Sequence, residues 1–320
     1  MKVCFIVGAY PKVIGGAEFQ AMLLAEALRY KYEIFYISCN EFEDGEIALN
    51  GLKVYQVKIS STDRNTFYLK IFYRIQTILQ KERPDKIYHR AVVPYSVLLA
   101  RFASKRNIDF ITHIASEHSL TFNTSISSKL KLWCLRKLCL YSKRVIVQTQ
   151  QQYDMLSSSV NIRGVLLPNF QERVHALSAT NNSGIKKVVW IGKSTPIKQL
   201  ELFLQVAESC SNLNTQFVCI VKRLQDDYSK ALFKRAFQLP NLTLIEGKEN
   251  DFINAFLAKE TFLLINTSMS EGFSNTFIQA WMRGVPVISL NSDPNNLLVE
   301  ENLGSFCEGN LSMIKKYIEH

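Results

Sequence analysis

The sequence predicts an α/β protein built from two doubly wound parallel-sheet domains. Three observations predict it. Short apolar runs alternate with amphipathic stretches along most of the chain, in the rhythm of strand, helix, strand. The length of 320 residues fits two domains of ordinary size. The stretch FLLINTSMSEGFSNTFIQAWMRGVPVISL, residues 262–290, reads by itself as a parallel crossover of strand, loop, helix and strand.

In the first half, Val3 to Val7 is an apolar run and so a buried strand, followed by a loop from Gly8 to Gly16. Ala17 to Tyr30 places Phe19, Met22, Leu23, Ala25 and Leu28 at helical spacing. Tyr32 to Ser38 and Leu52 to Ile59 read as strands. Thr66 to Gln80 reads as a helix, Lys86 to Tyr88 as a short strand and Val93 to Ala103 as a helix. Phe110 to Ile114 is a strand, Ser127 to Leu140 a helix, Arg144 to Val147 a strand and Thr149 to Leu156 a short helix. The segment between Ile114 and Ser127 carries no helical period.

After GVLLPNF at 164–170 comes a polar Ser/Asn-rich stretch, 171–185, expected to be an exposed loop. The predicted domains are accordingly 1–165 and 166–320. Lys187 to Ile191 is the next strand. Thr195 then caps a helix with Pro196 at its first position, where a missing N–H costs nothing. Gln216 to Val221 and Leu242 to Glu246 are strands, and Ser229 to Phe237 and Phe252 to Leu257 are helices. In the crossover unit Phe262 to Ile265 is a strand and Asn266 to Ser274 a loop. Thr276 to Met282 is the helix, Gly284 its terminator, and Val285 to Leu290 the second strand. A turn with a short helix and a last helix, Ser312 to His320, complete the chain.

Composition excludes several classes. The longest apolar runs fall short of the roughly 18–20 residues of a membrane span, and MKVCFIVGAYP is too short for a signal peptide. The seven scattered cysteines include no C-x-x-C pair, so free thiols in a cytoplasmic setting are expected. The net charge of +10 suits phosphate-bearing substrates or an anionic membrane surface. Nucleic acid is the weakest reading of that charge, because no zinc-finger spacing, RNP-type pattern or basic tail accompanies it.

Several motifs carry candidate chemistry. Gly15 and Gly16 lie between a strand and a helix, but G-x-G-x-x-G is absent, which argues against a nicotinamide enzyme. Glu18 reads as helix-start electrostatics. GKST at 192–195 is not a P-loop, since position 187 is Lys rather than Gly. Lys193 and Lys198 instead form a pair of cations at a helix start, suited to a diphosphate. His113 and His118 flank Glu117 after a central strand, with no H-E-x-x-H and so no metal expected. His89 and Arg90 end another strand, as site residues or as a surface pair. Ser127 to Arg144 interleaves six cations with leucines and Trp133. It is either a sheet-covering helix with a basic outer face or a helix lying on an anionic membrane.

SEGFSNTFIQAWMRGVPVISL resembles the C-terminal signature of retaining glycosyltransferases of family 4: Glu-Gly-Phe, a second acid eight positions on, then a Gly-x-Pro-Val strand. Glu271 stands at the first acid and Gln279 at the second. GVLLPNF, Gly192 with Lys193 and Lys198, and VIGGAEFQ around Gly16 are similar to further segments of that family. The resemblance implies two Rossmann-like domains facing across a cleft, the GT-B arrangement. It also implies a metal-independent transfer of a hexose from a UDP- or GDP-linked nucleotide-sugar to a hydroxyl, with retention. The acceptor would be a saccharide or lipid-linked, as in cell-surface polysaccharide or lipopolysaccharide synthesis at the inner face of the membrane. By the same resemblance, Gly272, Phe273, Ser274, Asn275 and Thr276 line the donor, Glu271 holds its sugar hydroxyls and Gln279 its ribose. Lys193 and Lys198 hold the diphosphate, and a histidine, His113 or His118, stands beside the transferred sugar. A non-catalytic relative that binds nucleotide-sugar or scaffolds other transferases, and a GT-B epimerase, are the alternatives.

Overall fold

In the computed structural model, which describes residues 1–40, 43–60, 63, 68–93, 95–172 and 186–319, the chain divides into units Met1–Asn169 and Phe170–His320. The stretch expected to be an exposed loop lies, from residue 173 to 185, outside the described residues.

The first unit is an eight-stranded sheet. In chain order its strands are β1 (Lys2–Ile6), β2 (Glu33–Asn40), β3 (Gly45–Leu49), β4 (Leu52–Lys58), β5 (Lys86–His89), β6 (Asp109–His113), β7 (Arg144–Val147) and β8 (Val165–Leu166). The spatial order is β3-β4-β2-β1-β5-β6-β7-β8. All pairings are parallel except β3 with β4. Its helices among the described residues are α1 (Gly16–Leu28), α2 (Leu69–Glu82), α3 (Ser96–Ser104), α4 (Ile126–Tyr141) and α5 (Gln150–Val160). Strand β1 shows why both faces need covering. Its Val3 and Phe5 pack with Ala21 and Ala25 of α1, while Cys4 and Ile6 pack with Ile71 and Ile75 of α2 and Leu99 of α3. A strand buried on both faces has no polar side, hence its unbroken apolar sequence. The chain runs outward from β1 through β2 and returns to β5 on β1's other side, so the strand order reverses between β1 and β5.

The second unit is a six-stranded, wholly parallel sheet of β9 (Lys186–Lys193), β10 (Thr215–Lys222), β11 (Leu242–Glu246), β12 (Leu263–Asn266), β13 (Val287–Ser289) and β14 (Gly304–Phe306). Its order is β11-β10-β9-β12-β13-β14, with the reversal between β9 and β12. The helices are α6 (Leu200–Ser209), α7 (Asp227–Ala236), α8 (Asn250–Glu260), α9 (Asn275–Trp281), the short α10 (Leu297–Glu300) and α11 (Leu311–Glu319). Val188 and Trp190 of β9 pack with Leu200 and Phe203 of α6, and Val189 on the opposite face packs with Phe256 and Phe277.

Two strands, β3 and β14, depart from the sequence expectation. The acidic, half-exposed GEIAL pairs antiparallel with β4 across Asn50–Gly51, both at positive φ, which is a hairpin signal. The three-residue β14 pairs with β13 so closely that a Cβ on Gly304 would lie 1.8 Å from the Val287 carbonyl oxygen. Between His113 and α4 a 3-10 turn, Glu117–Leu120, stands where no helical period was read. The seven cysteines are all free, and burial pushes the thiol of Cys4 well above its usual range.

Candidate functional site

The reversal between β9 and β12 opens a crevice at the carboxyl ends of those strands, the position at which open α/β sheets bind ligands. Three loops meet there. The loop after β9 passes through Thr195 in extended conformation, a 3-10 turn Pro196–Lys198 and Gln199 at φ 47°, and then enters α6. The Met269 N–H donates to the Ile197 carbonyl at 2.8 Å. The Thr267 hydroxyl lies 2.9 Å from the carbonyls of both Lys198 and Gln199, and accepts from Trp190 Nε1 at 3.0 Å. The third loop, after β13, supplies Asn291, whose amide donates to the Ser268 carbonyl at 3.0 Å, and Ser292, whose Oγ accepts the Glu271 N–H at 3.0 Å. The turn that carries Lys198 is therefore held by the loop after β12, which the loop after β13 holds in turn.

Glu271 is the centre of this arrangement. Its Oε1 accepts from Lys198 Nζ at 2.5 Å, Ser268 Oγ at 2.6 Å and Asn266 Nδ2 at 3.1 Å. All three bonds fall on Oε1, which leaves Oε2 clear of them. The Glu271 side chain is 12% exposed and that of Lys198 28%. Burial pushes the carboxyl up, but the charge of Lys198 and the three hydrogen bonds outweigh it and hold the group below the usual carboxylate range. The site is thus a fixed, ionised carboxylate beside a half-buried cation. Such a pair can grip hydroxyls with the acid while the lysine faces an anionic group.

The other residues singled out from the sequence are distributed around it. Lys193 is the exposed last residue of β9, in register with Lys222. Gly192 lies against the Trp190 ring, and a Cβ there would stand 2.7 Å from a ring carbon, so its local need is packing. Gly272 is half-buried, and Phe273 and Ser274 are buried. Ser274 caps α9 without a side-chain cap bond, its Oγ meeting Thr276 Oγ1 at 3.0 Å, and Asn275 opens the helix. Gln279 is buried one turn on, where its amide donates to Asn250 Oδ1 at 3.2 Å at the start of α8. Among the described residues it shares no hydrogen bond with the Glu271 group.

In the first unit Gly16 is the first residue of α1, and Glu18 packs where Gly8 leaves room for its chain. The histidines separate sharply. His118 is exposed in the 3-10 turn. His113 is buried at the end of β6, its Nδ1 2.7 Å from Tyr88 Oη and 3.2 Å from Arg90 Nη1. His89 is a structural residue, bonded to the Ile6 carbonyl and Ser96 Oγ, and burial lowers it to about 4. Arg90 is buried rather than part of a surface pair, and its Nη2 donates to Asn169 Oδ1 at 2.7 Å. Sequence reasoning missed Asn266, Thr267, Ser268, Asn291 and Ser292. The small polar run Asn266–Ser270 was the signal for three of them. Among the described residues, no group of three or more His, Cys, Asp or Glu could hold a metal ion, and no helix is long and apolar enough to cross a membrane.

Comparison with known proteins bears on the fold. Residues 14–170 match the family model described as Glycosyltransferase Family 4. No curated protein sequence matches the chain. Among solved structures, a sucrose-phosphate synthase from Thermosynechococcus elongatus superposes with a TM-score of 0.81 at 13% identity, covering 100% of this chain and 89% of that one. Anabaena HepE, in complex with UDP and glucose, gives 0.68 at 15% identity over 99% and 95% of the two chains. The lipopolysaccharide outer core galactosyltransferase WaaB, apo form, gives 0.70 at 14% identity over 99% and 89%. Residues 14–170 belong to Glycosyltransferase Family 4, and the chain that carries them is a glycosyltransferase of the GT-B type.

Proposed function

We propose that this enzyme moves a hexose from a UDP-linked nucleotide-sugar, with a GDP-linked donor as second choice, to a hydroxyl of a saccharide or lipid-linked acceptor with retention of configuration. The observation that carries the reading is the Lys198–Glu271 pair at the reversal of strand order in the second unit. Glu271 Oε2 takes a sugar hydroxyl. Lys198 and Lys193 stabilise the diphosphate as it gains charge on leaving, so that the protein's own cations meet a need otherwise served by a metal. The leaving phosphate takes the acceptor proton on the face from which it departs. The enzyme supplies orientation and charge. We favour uridine as the nucleoside because HepE, which this chain resembles in fold, is in complex with UDP and glucose.

A thermal-shift screen against UDP, GDP, ADP and their sugar conjugates tests this reading. Ligand at about 100 Kd adds roughly 2.7 kcal/mol to stability. A shift with UDP and its sugar that Lys198→Ala abolishes is the expected result. Equal shifts in both proteins would remove Lys198 from the site.

The lipid-linked part rests on α4. Ile126, Leu130, Trp133 and Leu140 are exposed large apolar residues at i, i+4, i+7 and i+14, flanked by exposed Lys129, Arg136, Lys143 and Arg144. That combination suits a cytoplasmic enzyme resting on an anionic bilayer. Co-sedimentation with phosphatidylglycerol vesicles, lost in Trp133→Glu, is expected. Equal sedimentation of the variant would leave α4 a plain sheet-covering helix.

A further inference from the structure

Arg90 is a buried guanidinium at the carboxyl end of β5, with no carboxylate within salt-bridge reach among the described residues. Its Nη donors go to neutral groups, Nη2 to Asn169 Oδ1 at 2.7 Å, and Nη1 to Tyr88 Oη at 3.1 Å and His113 Nδ1 at 3.2 Å, while Nε has no partner among the described residues. A guanidinium has no acceptor. Whatever it meets on the imidazole must therefore be a lone pair, so Nδ1 of His113 carries no proton. Tyr88 Oη, which accepts from Arg90, is free to donate its own proton to the same Nδ1 at 2.7 Å. Two donors then face one ring nitrogen, and the proton of a neutral imidazole must sit on Nε2. That Nε2 is buried and has no hydrogen-bond partner among the described residues. A buried N–H without an acceptor is rare in folded proteins and calls for an explanation.

We infer that Tyr88 and Arg90 are positioning residues that lock His113 as a neutral Nε2–H tautomer, making it a hydrogen-bond donor to a substrate oxygen and barring it from acting as a general base. The lock stands on geometry alone; the donor's place in sugar transfer rests on the function proposed above. The recognised group is an uncharged oxygen acceptor such as a sugar hydroxyl. Among the described residues the titratable groups that meet the ring are Tyr88, edge-on, and Arg90, from the end of β5. Both burial and the Arg90 charge disfavour the imidazolium, in that order.

Two-bond proton–nitrogen spectra of the protein labelled at its five histidines test the lock directly, without substrate, with His113→Gln identifying the signal. The expected result is a neutral Nε2–H pattern for His113 that persists well below the ordinary histidine range. In Arg90→Gln the same signal should titrate at a higher pH than in wild type, and Arg90→Lys, which keeps a cationic donor, should restore the wild-type pattern. Tyr88→Phe is the milder variant if Arg90→Gln does not fold; having lost one of the two donors to Nδ1, its His113 should keep the Nε2–H pattern but titrate at a higher pH than in wild type. In turnover, His113→Gln keeps a donor and His113→Phe loses about tenfold in kcat, the scale of one hydrogen bond. A wild-type Nδ1–H tautomer, or titration of His113 near its ordinary range, would overturn the lock. An intact lock with full activity in His113→Phe would overturn only its role in transfer.

Discussion

Replacing Lys198 with alanine is expected to lower kcat by about 10²–10³-fold, the scale of losing one member of a preorganised charge clamp. The loss should appear in kcat and kcat/KM together, because the cation matters most when the diphosphate carries its departing charge. A second consequence is electrostatic. In the wild type, Glu271 is held below its unfolded value, so its contribution to stability is present above the ordinary carboxylate range and is lost as pH falls through the folded value. Without Lys198, burial meets no opposing cation and raises the carboxyl, and the sign reverses. The stability this group then contributes is present at low pH and lost as pH rises through the folded value. Melting curves at about pH 4 and pH 7 check this, and the gap between wild type and Lys198→Ala should be wider at pH 7. A gap independent of pH would show that Lys198 does not set the ionisation of Glu271, and an unchanged kcat would remove it from the chemistry.

The sequence showed the fold where local pattern and tertiary burial coincide. Parallel strands covered on both faces, such as β1, β9 and β12, are continuous apolar runs and are legible alone. The edges are different: β14 has three residues and β3 is half-exposed, so each is a strand by virtue of its neighbour's hydrogen bonds. The same division runs through the site. Glu271 and Lys198 could be named because they sit in motifs with fixed spacing. Their joint use of one oxygen, with Ser268 and Asn266 as further donors, could not, since it joins loops 73 residues apart. Arg90 shows the limit most plainly. Nothing in KIYHRAVVP separates a surface cation from a buried one. What does so is the parallel pairing of β5 with β6, which sets Tyr88, Arg90 and His113 beside one another. Gln279 could be aligned with a ribose-binding acid by spacing, yet spacing gave no sign of its bond to Asn250.

Trp190 is where stability and the site are joined, and Trp190→Ala should have the largest effect on the second unit. The side chain is 2% exposed among Leu200, Phe203 and their neighbours, so removing it costs about 3–5 kcal/mol in lost burial and cavity. In a unit of this size that lowers Tm by on the order of 10 °C. The indole N–H also anchors Thr267, which holds the carbonyls of Lys198 and Gln199. Trp190→Phe separates the two roles: it keeps most of the packing, drops the N–H and should loosen the turn that presents Lys198, so its activity should fall more than its stability. Gly192 supplies the cross-check. A Cβ there meets the Trp190 ring at 2.7 Å, so Gly192→Ala should be destabilising in the wild type and nearly free in Trp190→Ala. A double-mutant cycle on Tm or urea midpoints reads that coupling. Strong non-additivity assigns the glycine to the ring. Additive costs, with donor binding lost in Gly192→Ala alone, would instead assign it to a ligand that approaches the backbone at the end of β9.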